Sequence, residues 1–158
     1  KMTELTALEE KWAIEEAEKV AAIASQAAAD AFAVAEARKD HDEQVSSIRE
    51  HLPQASGWRV IVLPYRGAKK TKGGIELSDQ TLERQQLTTT CAYVLSVGPL
   101  AYKDETKFPM GAWCKEGDWI IFGRYAGARM AIDGGEIRIL NDDEILATIK
   151  DPEDILHI

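Results

Sequence analysis

Hydrophobic and polar positions along the chain follow two different periods, and the change falls at Pro53. Before it, Val20, Ala24, Ala27, Ala31, Val34, Arg38, His41, Val45, Ile48 and Leu52 recur at alternating spacings of four and three. That is the stripe of a coiled-coil seam, interrupted by two polar residues. Ala, Glu and Lys favour helix and no glycine or proline intervenes, so the pattern predicts one helix from about Thr3 to Glu50. Thr3 or Thr6 stands ready to cap it, with Glu9 completing a capping box from Thr6, and Pro53 and Gly57 end it. Alanine in the seam lets helices approach closely but buries little area. Three placements stay open: the helix lies on its own barrel, bundles with other subunits, or docks on another protein.

Beyond Trp58 the period shortens to two. "WRVIVLPY" reads as a strand stopped by Pro64, and "TTTCAYVLSVG" as a strand with Tyr93, Leu95 and Val97 on one face. "DWIIFGRY" is a third, followed by a glycine-containing turn from Gly123 to Gly127. "ARMAIDGGEIRIL" reads as a hairpin in which Asp133-Gly134 supplies positive backbone angles, and "DEILATI" closes the set. Short strands with regular turns predict a small antiparallel barrel. The fold class is therefore α+β, a mainly antiparallel β-barrel preceded by a long helix with coiled-coil character. The domains are 1–52 as a helical oligomerisation or docking extension, 53–57 as linker, 58–150 as barrel and 151–158 as tail. Removing 1–52 is expected to leave the barrel folded while changing assembly size or stability.

Composition sharpens this division. All 11 glycines and 5 prolines fall at or after Pro53, and most of the net charge of −8 sits in the helical third. That acidity opposes nonspecific nucleic-acid binding, which rests on Lys and Arg neutralising phosphates. No run approaches the roughly 18 uncharged apolar residues of a membrane span, and no secretory signal is visible, so a cytoplasmic protein without a membrane partner is expected. Cys91 and Cys114 are 23 positions apart without a CxxC, which suits reduced thiols rather than a zinc or redox pair.

One stretch, "KKTKGGIELSD" from Lys69, fits core packing poorly: Gly73 and Gly74 precede Ile75 and Leu77, and charged residues surround the pair. Locally, Lys72-Gly73-Gly74 reads as a turn with Ile75 and Leu77 on a strand edge, or as a loop offering both to a partner. The segments "RVIVLPY", "KTKGGIEL", "AYVLSVGP", "KEGDWIIFGRYAG", "IDGGEIRIL" and "DDEILATI" together resemble the GroES-type co-chaperonins, in the same order and with nearly the same spacing. Residues 1–52 have no counterpart in ordinary members, and "KDPEDILHI" runs past their usual end.

The resemblance implies a GroES-like barrel that forms a ring, about seven-membered, and caps an ATP-driven chaperonin around an unfolded protein substrate. It implies that Gly73, Gly74, Ile75, Glu76 and Leu77 form the tip of a flexible loop that orders on the chaperonin, with Ile75 and Leu77 as anchors. Glu76 departs from the apolar residue usual there. It further implies that Lys103, Asp104 and Glu105 lie at a roof turn, and that Tyr125 faces the enclosed cavity, although a core position suits that aromatic equally. The first strand, with Val60 and Val62, and the last, with Ile145 and Ile149, resemble edge strands that pair between neighbours. Val20, Ala27, Val34, Val45 and Ile48 are the helix positions expected to add to oligomerisation.

Ordering a glycine-rich loop opposes binding by roughly 1–2 kcal/mol per residue, whereas each buried aliphatic anchor contributes about 1.5–3 kcal/mol. A single loop binds poorly, and a ring makes later contacts intramolecular. Catalysis finds little support, since His41, His51 and His157 lie away from the barrel motifs. "DHDE" at Asp40 to Glu43 reads as a solvated helix face before a metal site, and "GAKKT" at Gly67 lacks the full phosphate-loop pattern. No cofactor is expected, and ATP hydrolysis would belong to the partner. The competing reading is a structural protein, such as a viral capsid decoration or scaffold component, that reuses the barrel.

Overall fold

A computed structural model describes residues 7–67, 76, 78, 80–81 and 90–155. Helix α1 (Ala7–His51) is continuous, as its breaker-free composition requires, and stops before Pro53. The proposed caps Thr3 and Thr6 lie outside the described residues. Six strands follow: β1 (Arg59–Pro64), β2 (Cys91–Val97), β3 (Trp119–Phe122), β4 (Ala128–Ile132), β5 (Gly135–Asn141) and β6 (Ile145–Ile149). They pair antiparallel in the order β4-β5-β1-β2-β3-β6.

The two faces of this sheet are buried for different reasons. Val60 and Val62 point into one core with Ala92, Val94, Ile120, Phe122, Leu140 and Ile145. Ile61 and Leu63, one residue out of phase, point the other way and join Leu95 and Ile137 in a second core, which α1 closes with Val45 and Ile48. Alternation of side chains across a strand produces this split. It explains why β1 is buried at every position after Arg59.

The docking of α1 decides among the three placements for its C-terminal half. Ile48 is fully buried and Val45 and Ala37 nearly so, whereas residues 7–29 are exposed throughout. The two polar interruptions of the stripe also find partners on the barrel side. Arg38 pairs with Asp151, and His41 packs on Tyr93 and Trp119, with ring centroids 5.0 and 4.6 Å away. Helix and turn meet closely: a Cβ on Gly134 would lie 3.0 Å from both Ile48 Cγ1 and Ser47 Oγ.

Several expectations change accordingly. Val45 and Ile48 bury themselves against their own sheet instead of a neighbouring helix, whereas Val20 and Ala27 are exposed, as a contact between subunits would require of the single chain. Val60 and Val62 do not lie on an edge strand, because β1 is hydrogen-bonded to β5 on one side and β2 on the other; among the described residues the edge strands are β4 and β6. Val97 leaves the face of Tyr93 and Leu95, because pairing jumps from Ile61↔Ser96 to Val62↔Val94 and this bulge resets the alternation. The β4–β5 hairpin forms, but its positive angles fall on Gly134 and Gly135, which lack a Cβ, and not on Asp133. By length and composition alone, α1 is long and apolar enough to cross a membrane.

Candidate partner-docking surface

The chain leaves β1 at Pro64 and returns to the adjacent strand at Cys91, an excursion far longer than the roughly 4–6 residues usual between elements. Its base is closed: the Tyr65 amide donates to the Cys91 carbonyl at 3.0 Å, directly beyond the Pro64↔Ala92 pair. Gly73, Gly74, Ile75 and Leu77 lie outside the described residues. Glu76, between Ile75 and Leu77 in the sequence, is exposed.

Aromatic and charged groups from three parts of the chain gather at this base. Tyr65 donates its hydroxyl to Glu153 and stands edge-on to Trp119 at 5.5 Å, and Arg38 pairs with Asp151. Together with His41 and Tyr93 they line a cleft of about 320 Å³ between α1, the sheet and the tail. Burial, reinforced by the hydrogen bond to Glu153, raises the Tyr65 pKa, so the phenol remains a proton donor. Burial lowers the pKa of His41, and neighbouring Asp42 opposes this only in part. The order of residues explains the split of the acidic tract: His41 faces the aromatic rings while Asp42 and Glu43 stay exposed.

The proposed roof turn is exposed and well tied. Lys103, Asp104 and Glu105 are all solvent-facing. Asp104 accepts from the Thr106 hydroxyl at 2.5 Å and the Thr106 amide at 3.0 Å, and these bonds hold its carboxyl below the usual range. Lys107 reaches Asp143 at 2.8 Å, and buried Asp142 accepts from the Tyr102 amide at 3.2 Å. Beneath lies a cluster of Tyr102, Phe108 and Trp113. Tyr102 adopts φ 59, the one positive φ among described non-glycine residues.

Tyr125 is not a core aromatic: its side chain is 89% exposed. It rides on the turn from Gly123 to Gly127, where Ala126 packs against the core and its amide donates to Gly123 at 2.9 Å. Ile145 is buried, Ile149 half-buried, and between them Leu146 is 70% exposed on the β6 edge. Cys91 and Cys114 are both free and buried, and burial pushes the Cys91 thiol up to about 12, which keeps it protonated and unreactive.

The sequence reading missed Arg38, Asp151, Tyr65 and Glu153 as partners, since pairs so distant in sequence leave no local pattern. It also passed over Arg138, whose signal was present: a lone arginine within the apolar run "EIRIL".

An antiparallel sheet of this order, with a closed-base excursion between β1 and β2, defines a GroES-like barrel subunit. The chain belongs to the chaperonin 10 kDa subunit family, whose profile matches residues 54–149. It is 36% identical over 92 residues to the co-chaperonin GroES of Gemmatimonas aurantiaca, covering 58% of this chain and 89% of that protein. It is 37% identical over 94 residues to the co-chaperonin GroES of Clostridium beijerinckii, covering 60% and 94%. The co-chaperonin GroES of Thermotoga neapolitana is 37% identical over 95 residues, covering 60% and 92%. Residues 1–53, and with them the whole of α1, lie outside the family match.

Proposed function

We propose that this protein is a cytoplasmic co-chaperonin subunit, a binding protein and not an enzyme, which docks on an ATP-driven chaperonin and encloses an unfolded substrate. The observation that carries this reading is the Gly73-Gly74-Ile75-Glu76-Leu77 segment lying on the excursion between β1 and β2 of a family barrel. Ile75 and Leu77 are the anchors. Glu76 between them weakens docking or narrows the choice of chaperonin, because a carboxylate resists burial. Copies assemble into a ring, about seven-membered, with Ile145, Leu146 and Ile149 of the edge strand β6 at the subunit boundary. Lys103, Asp104 and Glu105 face the roof opening, and Tyr125 faces the chamber.

Nucleotide-dependent co-sedimentation with a purified chaperonin tests the proposal. The intact protein is expected to pellet with the chaperonin only when nucleotide is present, and the Ile75→Asp, Leu77→Asp double variant is expected to stay in the supernatant. Equal pelleting of both forms would overturn the role of the anchors.

A second reading has one observation in its favour. The exposed part of α1 lies outside the family match and carries Leu8, Trp12, Ile14, Val20, Ile23 and Phe32 on its surface. A structural role, such as a capsid decoration or scaffold component, would use that surface and leave the anchors idle. Failure to bind any chaperonin, including that of the natural host, favours it.

A further inference from the structure

Arg138 is the largest fully buried side chain among those described. It sits in β5 opposite Val62 and opposite Arg129, with Ile137 before it and Ile139 after it. On stability grounds this is a poor choice. Replacing a buried charge by a well-packed apolar side chain is often neutral or favourable, and a like charge directly across a strand is unfavourable. What the guanidinium touches supplies the reason for it. Nη1 donates to the carbonyl of Arg124 at 3.0 Å and to that of Ala126 at 3.4 Å, and the head group lies 5.1 Å from the centroid of the Phe122 ring.

The two accepting carbonyls flank one residue, Tyr125. The far end of its turn is also built closely: Gly127 has φ 75, and a Cβ there would lie 2.5 Å from Leu140 Cδ2 and 2.6 Å from the Ile139 carbonyl. A buried cation thus holds the backbone on both sides of a tyrosine whose side chain is 89% exposed. Arg124, Arg129 and Met130 are exposed on the same turn and strand. Tyrosine, arginine and methionine are the residue types enriched at protein-binding surfaces.

We infer that Arg138 is a positioning residue, which fixes the Gly123–Gly127 turn so that Tyr125 is presented in one orientation to a polypeptide ligand. This rests on the chamber-facing role proposed above for Tyr125, and deepens it. Arginine suits the task because its planar fork carries several donors at fixed angles, which lysine lacks.

Hydrogen exchange and assisted refolding on the full-length protein test this with Arg138→Met, Arg138→Lys and Tyr125→Ala. In Arg138→Met, exchange across residues 123–127 is expected to rise roughly tenfold, the scale of losing one or two hydrogen bonds to a charged group, while β1 and β2 stay unchanged. Arg138→Lys is expected to fall between, and it serves alone should the methionine variant not fold. In chaperonin-assisted refolding, Arg138→Met and Tyr125→Ala are each expected to lower the yield, and the double variant no further. Unchanged exchange in the turn, an equal rise across β1 and β2, or additive losses in the double variant would overturn the positioning role. A looser turn with refolding indifferent to Tyr125→Ala supports the clamp and overturns the chamber role of Tyr125.

Discussion

Ile48 shows how much one side chain decides here. It is fully buried where α1 crosses the second core, among Ile61, Leu63, Leu95 and Ile137. Ile48→Ala is expected to lower unfolding free energy by about 2–5 kcal/mol, read by denaturant titration. The same change at Ile23, which is 69% exposed on the same helix, is expected to stay within about 0.5 kcal/mol. Nothing local separates the two isoleucines. Glycines were more legible: Gly134 stands where both a turn and a closely packed helix require it, and its neighbour in sequence already marked a hairpin.

At the scale of elements, α1 divides near residue 34 into an exposed half and a docked half. Deleting residues 1–33 is expected to leave the melting temperature of the barrel unchanged. Deleting 1–52 uncovers Ile61, Leu63, Leu95 and Ile137, and the lost burial of Val45, Ile48 and Leu52, at about 1.5–3 kcal/mol each, sets the scale. A fall of well over about 10 °C follows for a barrel of this size. Equal melting of the two deletions would show that the helix is not part of the core.

The docked half is also expected to respond to pH through His41. Its Nε2 is buried without a hydrogen-bond partner among the described residues, and burial holds its folded pKa below 6.5. The unfolded state therefore binds more protons in the window just below 6.5. Stability is full above that value and falls as pH drops towards the folded pKa. Arg38, Asp42, Lys150, Asp151 and Glu153 line the same cleft. Asp42 raises the histidine's pKa and so moderates the loss. His41→Phe is expected to flatten the stability profile between pH 7 and 5, checked by thermal melts across that range.

For the whole molecule, the sheet ends among the described residues in two edge strands, β4 and β6. Open edges favour pairing with another chain unless protected. Sedimentation of the intact protein is expected to give a closed assembly of about seven subunits, and a monomer at micromolar concentration would count against the ring. The deletion of residues 1–33 separates two sources of assembly: an unchanged mass assigns it to the barrels, and a smaller one to the exposed helix.

What the sequence determined by itself was local or ordered along the chain. Helix α1 follows from an unbroken stretch of helix formers, the β4–β5 turn from Asp133-Gly134, and family membership from motifs in fixed order. Each signal sits within a few residues or in linear succession, so no knowledge of folding back is needed. The tertiary structure alone decided which side of each pattern is covered. One seam runs from Val20 to Leu52, yet only its later part meets the sheet. β1 was legible as a strand but not as an interior one, because its neighbours arrive from residues 91–97 and 135–141. Tyr125 and Arg138 exchanged the places that polarity suggests, the aromatic outside and the cation inside, because the backbone carbonyls that flank one accept hydrogen bonds from the other.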